Sequence, residues 1–145
     1  MPGASGEPLW PAGFVGSISH CPVLAGAIVG RSTALRSIGL DLEQRQSLTP
    51  GMRELICANE GEAQAMQDDP SADLTLFSIK EAVLKAWSRL SSSWPEFTDI
   101  EVVLGEGRFA SSVSCHDVAP TRIDGFFAVD AGLVCAVAQV PAGDR

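Results

Sequence analysis

A chain of 145 residues with 46% hydrophobic and 19% charged side chains is long enough for one globular domain and too apolar to be disordered. Its formal net charge of -8 argues against a general nucleic-acid binder, which needs a basic face, and leaves any anion site to a few local cations. The longest apolar stretches, Pro22–Val29 and Ala131–Val140, fall short of the roughly 18 residues of a membrane span, and MPGASGEPLWPAG lacks the basic and apolar regions of a signal peptide, so a cytoplasmic protein is expected.

The first thirteen residues, rich in Gly and Pro, read as an extended lead-in. Phe14–His20 and Leu24–Gly30, split by Cys-Pro, read as two antiparallel strands, and the alternating Ser37–Glu43 as a third. Leu48–Gln67 reads as partly helical, with Thr49 before Pro50 as its start. After a turn at Asp68–Ser71, Asp73–Leu90 is the clearest helix, ended by Ser91–Pro95. Four more strands are predicted at Asp99–Leu104, Arg108–Ser114, Arg122–Val129 and Leu133–Val140. Strands, then helices, then strands give an α+β fold in a single domain over residues 1–145. Cys21, Cys57, Cys115 and Cys135 have no familiar zinc spacing and read as reduced, buried thiols; His116 has no supporting motif and reads as a surface or loop residue.

Three segments carry residues suited to chemistry. In GSISHC, alternation puts Ser17 and Ser19 on one face of a strand and Ile18 and His20 on the other. Ser19 and His20 at a strand end can donate hydrogen bonds to a phosphate; a histidine that caps a loop or packs in the core is the plainer alternative. In SIGLDLE, Ile38, Leu40 and Leu42 share one face and Gly39, Asp41 and Glu43 the other. Two carboxylates at i and i+2, roughly 6.5 Å apart at Cα, can share a divalent cation, Mg²⁺ being the natural one; two ordinary acids on a solvated face would give the same pattern.

The third segment, FSIKEAVLKAW, holds both lysines of the chain. On a helical wheel Leu76, Phe77, Val83, Leu84 and Trp87 all lie within roughly 60° of Lys80, which centres that lysine on the apolar face. A buried ammonium either snorkels to water or meets an anion. Glu81 and Lys85 sit one turn apart, as an exposed i,i+4 ion pair or as part of a phosphate-and-metal site.

In that order, WPAGFVGSISHC, IGLDLE and FSIKEAVLKAW resemble the three signature blocks of the Sfp-type 4'-phosphopantetheinyl transferases, and Trp10-Pro11 is similar to the siderophore branch typified by enterobactin synthase component D. The resemblance implies a Mg²⁺-dependent enzyme of the 4'-phosphopantetheinyl transferase fold that moves the arm of coenzyme A to a serine of an acyl or peptidyl carrier protein. It implies Asp41, Glu43 and Glu81 as metal ligands, with Glu81 and Lys85 catalytic and Ser19, His20, Lys80 and Lys85 on the coenzyme A phosphates. Family members are built of two similar halves. By that measure residues 1–36 are the last strands of a first half and residues 37–145 a complete second half. Such a chain is either a fragment or a short form that self-associates as a homo-oligomer, and weak or no activity alone is expected. The alternatives are a homologue that binds coenzyme A or carrier protein without turnover, a Mg²⁺-dependent hydrolase or nucleotide-binding enzyme using the same acids, and a structural module.

Overall fold

The computed structural model describes residues 8–46, 48–115, 119–130 and 132–143; His116 lies outside them. Strands β1 (Phe14–Cys21) and β2 (Leu24–Arg31) form an antiparallel hairpin across the Cys-Pro turn. Strand β3 (Leu35–Gln44) then enters a second sheet. Three helices follow: α1 (Pro50–Ile56), α2 (Glu60–Asp68) and α3 (Ala72–Trp87). A 3₁₀ turn at Phe97–Asp99 leads into β4 (Ile100–Leu104), β5 (Arg108–Val113), β6 (Thr121–Asp130) and β7 (Leu133–Pro141). The order β3-β7-β6-β5-β4, antiparallel throughout, gives a five-stranded sheet. The α+β expectation holds.

Local chemistry explains the helix starts. Thr49 caps α1, accepting from the Met52 amide at 3.3 Å, with Pro50 in the first turn, where no amide is needed. The segment expected as one partly helical stretch is two helices, because Asn59 caps a fresh start by accepting from the Glu62 amide at 2.9 Å. The buried carboxylate of Asp73 ties α1 to α3, accepting from Arg53 Nε at 2.9 Å and the Leu48 amide at 3.2 Å.

Both faces of β3 are covered. Ile38, Leu40 and Leu42 pack with Val15 and Val137 under the hairpin. The opposite face carries Ser37, Gly39, Asp41 and Glu43 and meets α3, whose Ala82 and Ala86 are fully buried. A Cβ at Gly39 would stand 2.0 Å from the Ala82 carbonyl oxygen, so helix and strand touch backbone to backbone. Ser37 Oγ donates to the Ala86 carbonyl at 2.6 Å across the same seam.

The hairpin meets the free edge of β3 through side chains. The Leu40 and Leu42 amides each donate, at 3.0 Å, to Ser17 Oγ and Ser19 Oγ respectively. The outer face of the hairpin leaves Phe14, Ile18 and Val29 about half exposed.

Among the described residues, Lys80 is the largest fully buried side chain. Its ammonium donates to Glu62 Oε1 at 2.7 Å, to the Phe97 carbonyl at 3.0 Å and to the Ile56 carbonyl. Glu62 is 1% exposed and also accepts from the Ala58 amide at 3.1 Å and the Val102 amide at 2.9 Å. This buried pair joins α1, α2, α3 and β4 at one point. Burial pushes the Lys80 ammonium below its ordinary pKa, and the Glu62 carboxylate opposes that shift. Breaking such a pair from one side leaves an uncompensated charge. Lys80→Met is therefore expected to cost about 3–5 kcal/mol in chemical denaturation, and adding Glu62→Leu to recover part of that loss. A Lys80→Met chain of unchanged stability would show that the pair holds nothing together.

Candidate functional site

The alternation of β3 and the pitch of α3 bring one set of polar side chains together. Asp41 and Glu43, two residues apart on β3, look toward the helix. Ser78, Glu81 and Lys85 occupy the facing side of α3, one to two turns apart. Asp41 is 5% exposed; its Oδ2 accepts from Ser78 Oγ at 2.8 Å and its Oδ1 lies 3.7 Å from Lys85 Nζ. Lys85 Nζ also donates to the Leu40 carbonyl at 2.8 Å, on the free edge of β3, and reaches toward the Ile18 carbonyl at 3.4 Å. Lys85 thus faces Asp41 across the seam instead of lying as a wholly exposed pair with Glu81.

Three carboxyl groups share this space. Burial pushes the Glu43 carboxyl up to about 7, helped by the charge of Asp41, by a hydrogen bond with Asp41 and by the charge of Glu81, while Lys85 pulls it down. The Glu81 carboxyl is raised as well, first by burial and then by Asp41, again against Lys85. One ammonium among three acids leaves a negative surplus that a divalent cation or a bound proton would relieve.

Asp41, Glu43 and Glu81 are hard oxygen donors of the kind Mg²⁺ takes. Among the described residues, however, no three His, Cys, Asp or Glu side chains form a ready-made metal cage. The donor set fits an ion that keeps most of its waters and takes one or two carboxylates together with substrate phosphate, which is the usual habit of Mg²⁺. It does not fit a fully protein-ligated metal.

Beside Glu81 and Lys85 lies a cavity of about 460 Å³, walled by Leu84, Trp94, Pro95 and Phe97. The segment after α3 folds back to form it, held by Trp87 Nε1 donating to the Ser93 carbonyl at 3.1 Å. A larger cavity of about 810 Å³ opens on the other face of the sheet, near Arg108, Phe126 and Gln139, and contains none of the three acids.

Two residues expected to meet phosphate are placed otherwise. The Lys80 ammonium does not join the acidic cluster. It is 0% exposed and its hydrogens go to Glu62, Ile56 and Phe97, so it has none to offer a phosphate. The anion that its position on the apolar face demanded is Glu62. Ser19 is buried and turned to the Leu42 amide, while His20 beside it is exposed on the opposite face of β1. Glu62 and Ser78 were not legible as partners from the sequence. Asn59 three residues before Glu62 marks a helix start, but nothing in that pattern points to Lys80.

Among the described residues, no helix is long and apolar enough to cross a membrane. Residues 37–138 match the family model of the 4'-phosphopantetheinyl transferase superfamily, and residues 1–30 match that of the 4'-phosphopantetheinyl transferase N-terminal domain. The chain is 36% identical over 148 residues to the 4'-phosphopantetheinyl transferase PptT of Mycobacterium tuberculosis, covering 92% of this chain and 65% of that protein. It is 34% identical over 157 residues to the 4'-phosphopantetheinyl transferase Svp of Streptomyces mobaraensis, covering 99% of this chain and 64% of the relative. Enterobactin synthase component D of Salmonella typhimurium is 37% identical over 92 residues, covering 57% of this chain and 36% of the relative. The chain thus spans just under two thirds of the length of the first two relatives. With the three acids and Lys85 all inside the matched region, the chain belongs to the 4'-phosphopantetheinyl transferase superfamily.

Proposed function

We propose that this chain carries the acid-and-lysine site for moving the 4'-phosphopantetheine arm of coenzyme A onto a serine of an acyl or peptidyl carrier protein. The observation that carries the reading is the convergence of Asp41, Glu43 and Glu81 with Lys85 on the seam between β3 and α3. One or two carboxylates of the set Asp41, Glu43 and Glu81, together with substrate phosphate, would hold Mg²⁺, which would supply charge neutralisation at the diphosphate of coenzyme A. Glu81, with its raised pKa, is suited to take the proton of the attacking serine hydroxyl. That oxygen forms a bond to the β-phosphorus as the bond from the β-phosphorus to the leaving 3',5'-ADP oxygen breaks, giving a phosphodiester. Lys85 offers its ammonium to the leaving phosphate, and exposed His20, next to Ser19, to the phosphates of coenzyme A. Lys80 has only an indirect part, holding α3 in place. The apolar wall of Leu84, Trp94 and Phe97 suits the pantetheine arm. The likeness to enterobactin synthase component D supports a siderophore carrier as substrate.

Transfer of a labelled arm from fluorescent coenzyme A to an apo carrier protein tests the reading. Any labelling of the carrier by the wild-type chain, expected to be weak, should require Mg²⁺. Glu81→Gln should lower the rate by about 10²–10⁴-fold. Glu81→Gln and Asp41→Asn chains that transfer at the wild-type rate would sink it. Coenzyme A binding with no transfer by the wild type would favour a binding homologue instead.

The pH dependence follows from the same acids. The Glu43 carboxyl ionises near 4.5 when unfolded and at about 7 when folded without metal. Over that window the unfolded chain gives up the proton first, so folding stability falls as pH rises. Metal-free thermal melts should show a lower Tm at the upper end of this window than at the lower, and Glu43→Gln should flatten the slope. Added Mg²⁺ should raise Tm more at the upper end, where it has no proton to displace. A Mg²⁺ effect independent of pH would count against metal binding at these acids.

A further inference from the structure

We propose that Ser78 is a positioning residue that sets the orientation of Asp41 for the metal, an inference that rests on the magnesium reading above. A serine inside a helix ordinarily sends its hydroxyl to solvent or back to the carbonyl one turn earlier. Ser78 does neither. It is 0% exposed, and its hydroxyl crosses the seam to Asp41 Oδ2 at 2.8 Å. The bond joins residues 37 apart in sequence. It therefore links the helix that bears Glu81 to the strand that bears Asp41 and Glu43.

The geometry gives this bond a specific consequence. An aspartate has two oxygens and a carboxylate plane that can rotate. With Oδ2 committed to Ser78, the plane is fixed and Oδ1 is the oxygen turned toward Lys85, at 3.7 Å. One carboxylate oxygen is thus assigned to protein and the other to the charged cluster, which suits single-oxygen coordination of a small, geometrically strict cation. Hydrogen bonds of this kind behind a ligand typically govern 10–100-fold in metal affinity.

Ser37 supplies an internal control. It too is fully buried, and its hydroxyl crosses the same seam between β3 and α3, but to the Ala86 carbonyl at 2.6 Å and not to a carboxylate. A merely structural role for Ser78 predicts that the two serines behave alike.

The test is titration of the full 145-residue chain with Mn²⁺ alone, as a stand-in for Mg²⁺, followed by the loss of the free-ion electron paramagnetic resonance signal, with melts on every variant. Ser78→Ala is expected to weaken Mn²⁺ binding by about 10–100-fold. Ser37→Ala should lose stability and bind Mn²⁺ as the wild type does. Ser78→Cys fills the same space with a weak donor, so it should bind as poorly as the alanine variant. Unchanged affinity in Ser78→Ala, equal loss in Ser37→Ala, or full recovery in Ser78→Cys would each overturn the assignment while leaving the metal site standing. A wild-type chain that takes up no Mn²⁺ saturably would overturn the magnesium reading itself, and the role of Ser78 with it.

Discussion

The backbone-to-backbone contact of α3 with β3 is the constraint on which the site depends. A helix normally rides on a sheet at the distance its side chains impose. Here Gly39 faces Ala82 and Ala86, and the neighbouring strand adds Ala136 and Ala138, all buried. With so little side chain between them, a short serine can bridge the seam at Ser37 and again at Ser78. The acids of the strand and the glutamate of the helix then face one another across the seam, where burial first, and their mutual charge second, raises the Glu43 and Glu81 carboxyls. The electrostatic tension of the site is a product of packing as much as of the acids themselves.

A second buried element holds the helix from behind. The Lys80–Glu62 pair lies inside the core, while Glu81, next along the chain, is half-buried at the acidic cluster. Two adjacent residues on a helix point about 100° apart, so anchoring one fixes the direction of the other. A lysine in the same motif as the candidate catalytic glutamate is thereby explained without contact to substrate. Its hydrogen bond to the Ile56 carbonyl also supplies a partner at the last turn of α1, where helix carbonyls lack one within the helix.

Much of this was legible in the sequence, for reasons that can be named. The period of two in SIGLDLE separates Ile38, Leu40 and Leu42 from Gly39, Asp41 and Glu43, and the two sets face opposite cores. The 3.6-residue period of the last helix places Lys80 inside. What could not be read were the partners across space. Glu62 lies on another helix, 18 residues before Lys80, and ordinary N-cap chemistry accounts for its local surroundings. Ser78 looks like any polar residue in a helix until the strand is set against it. The polar pattern of the β3 face that bears the acids also fits a wet side; it is covered because Gly39 lets the helix come so close. The alternation of β1 puts Ser17 and Ser19 on one face, as the sequence implies, but their neighbour is a strand edge.

That edge has a consequence beyond the site. A sheet margin with free amides invites another strand to add to it, and with it runaway self-pairing. Along β3 the outward amides of Leu40 and Leu42 are occupied by serine hydroxyls and the outward carbonyl of Leu40 by Lys85. Hydroxyls and an ammonium use up the hydrogen-bonding capacity of this stretch without continuing the ladder. The sheet is thus sealed next to its most acidic spot, and a foreign strand would have to displace three side chains before it could begin to polymerise there.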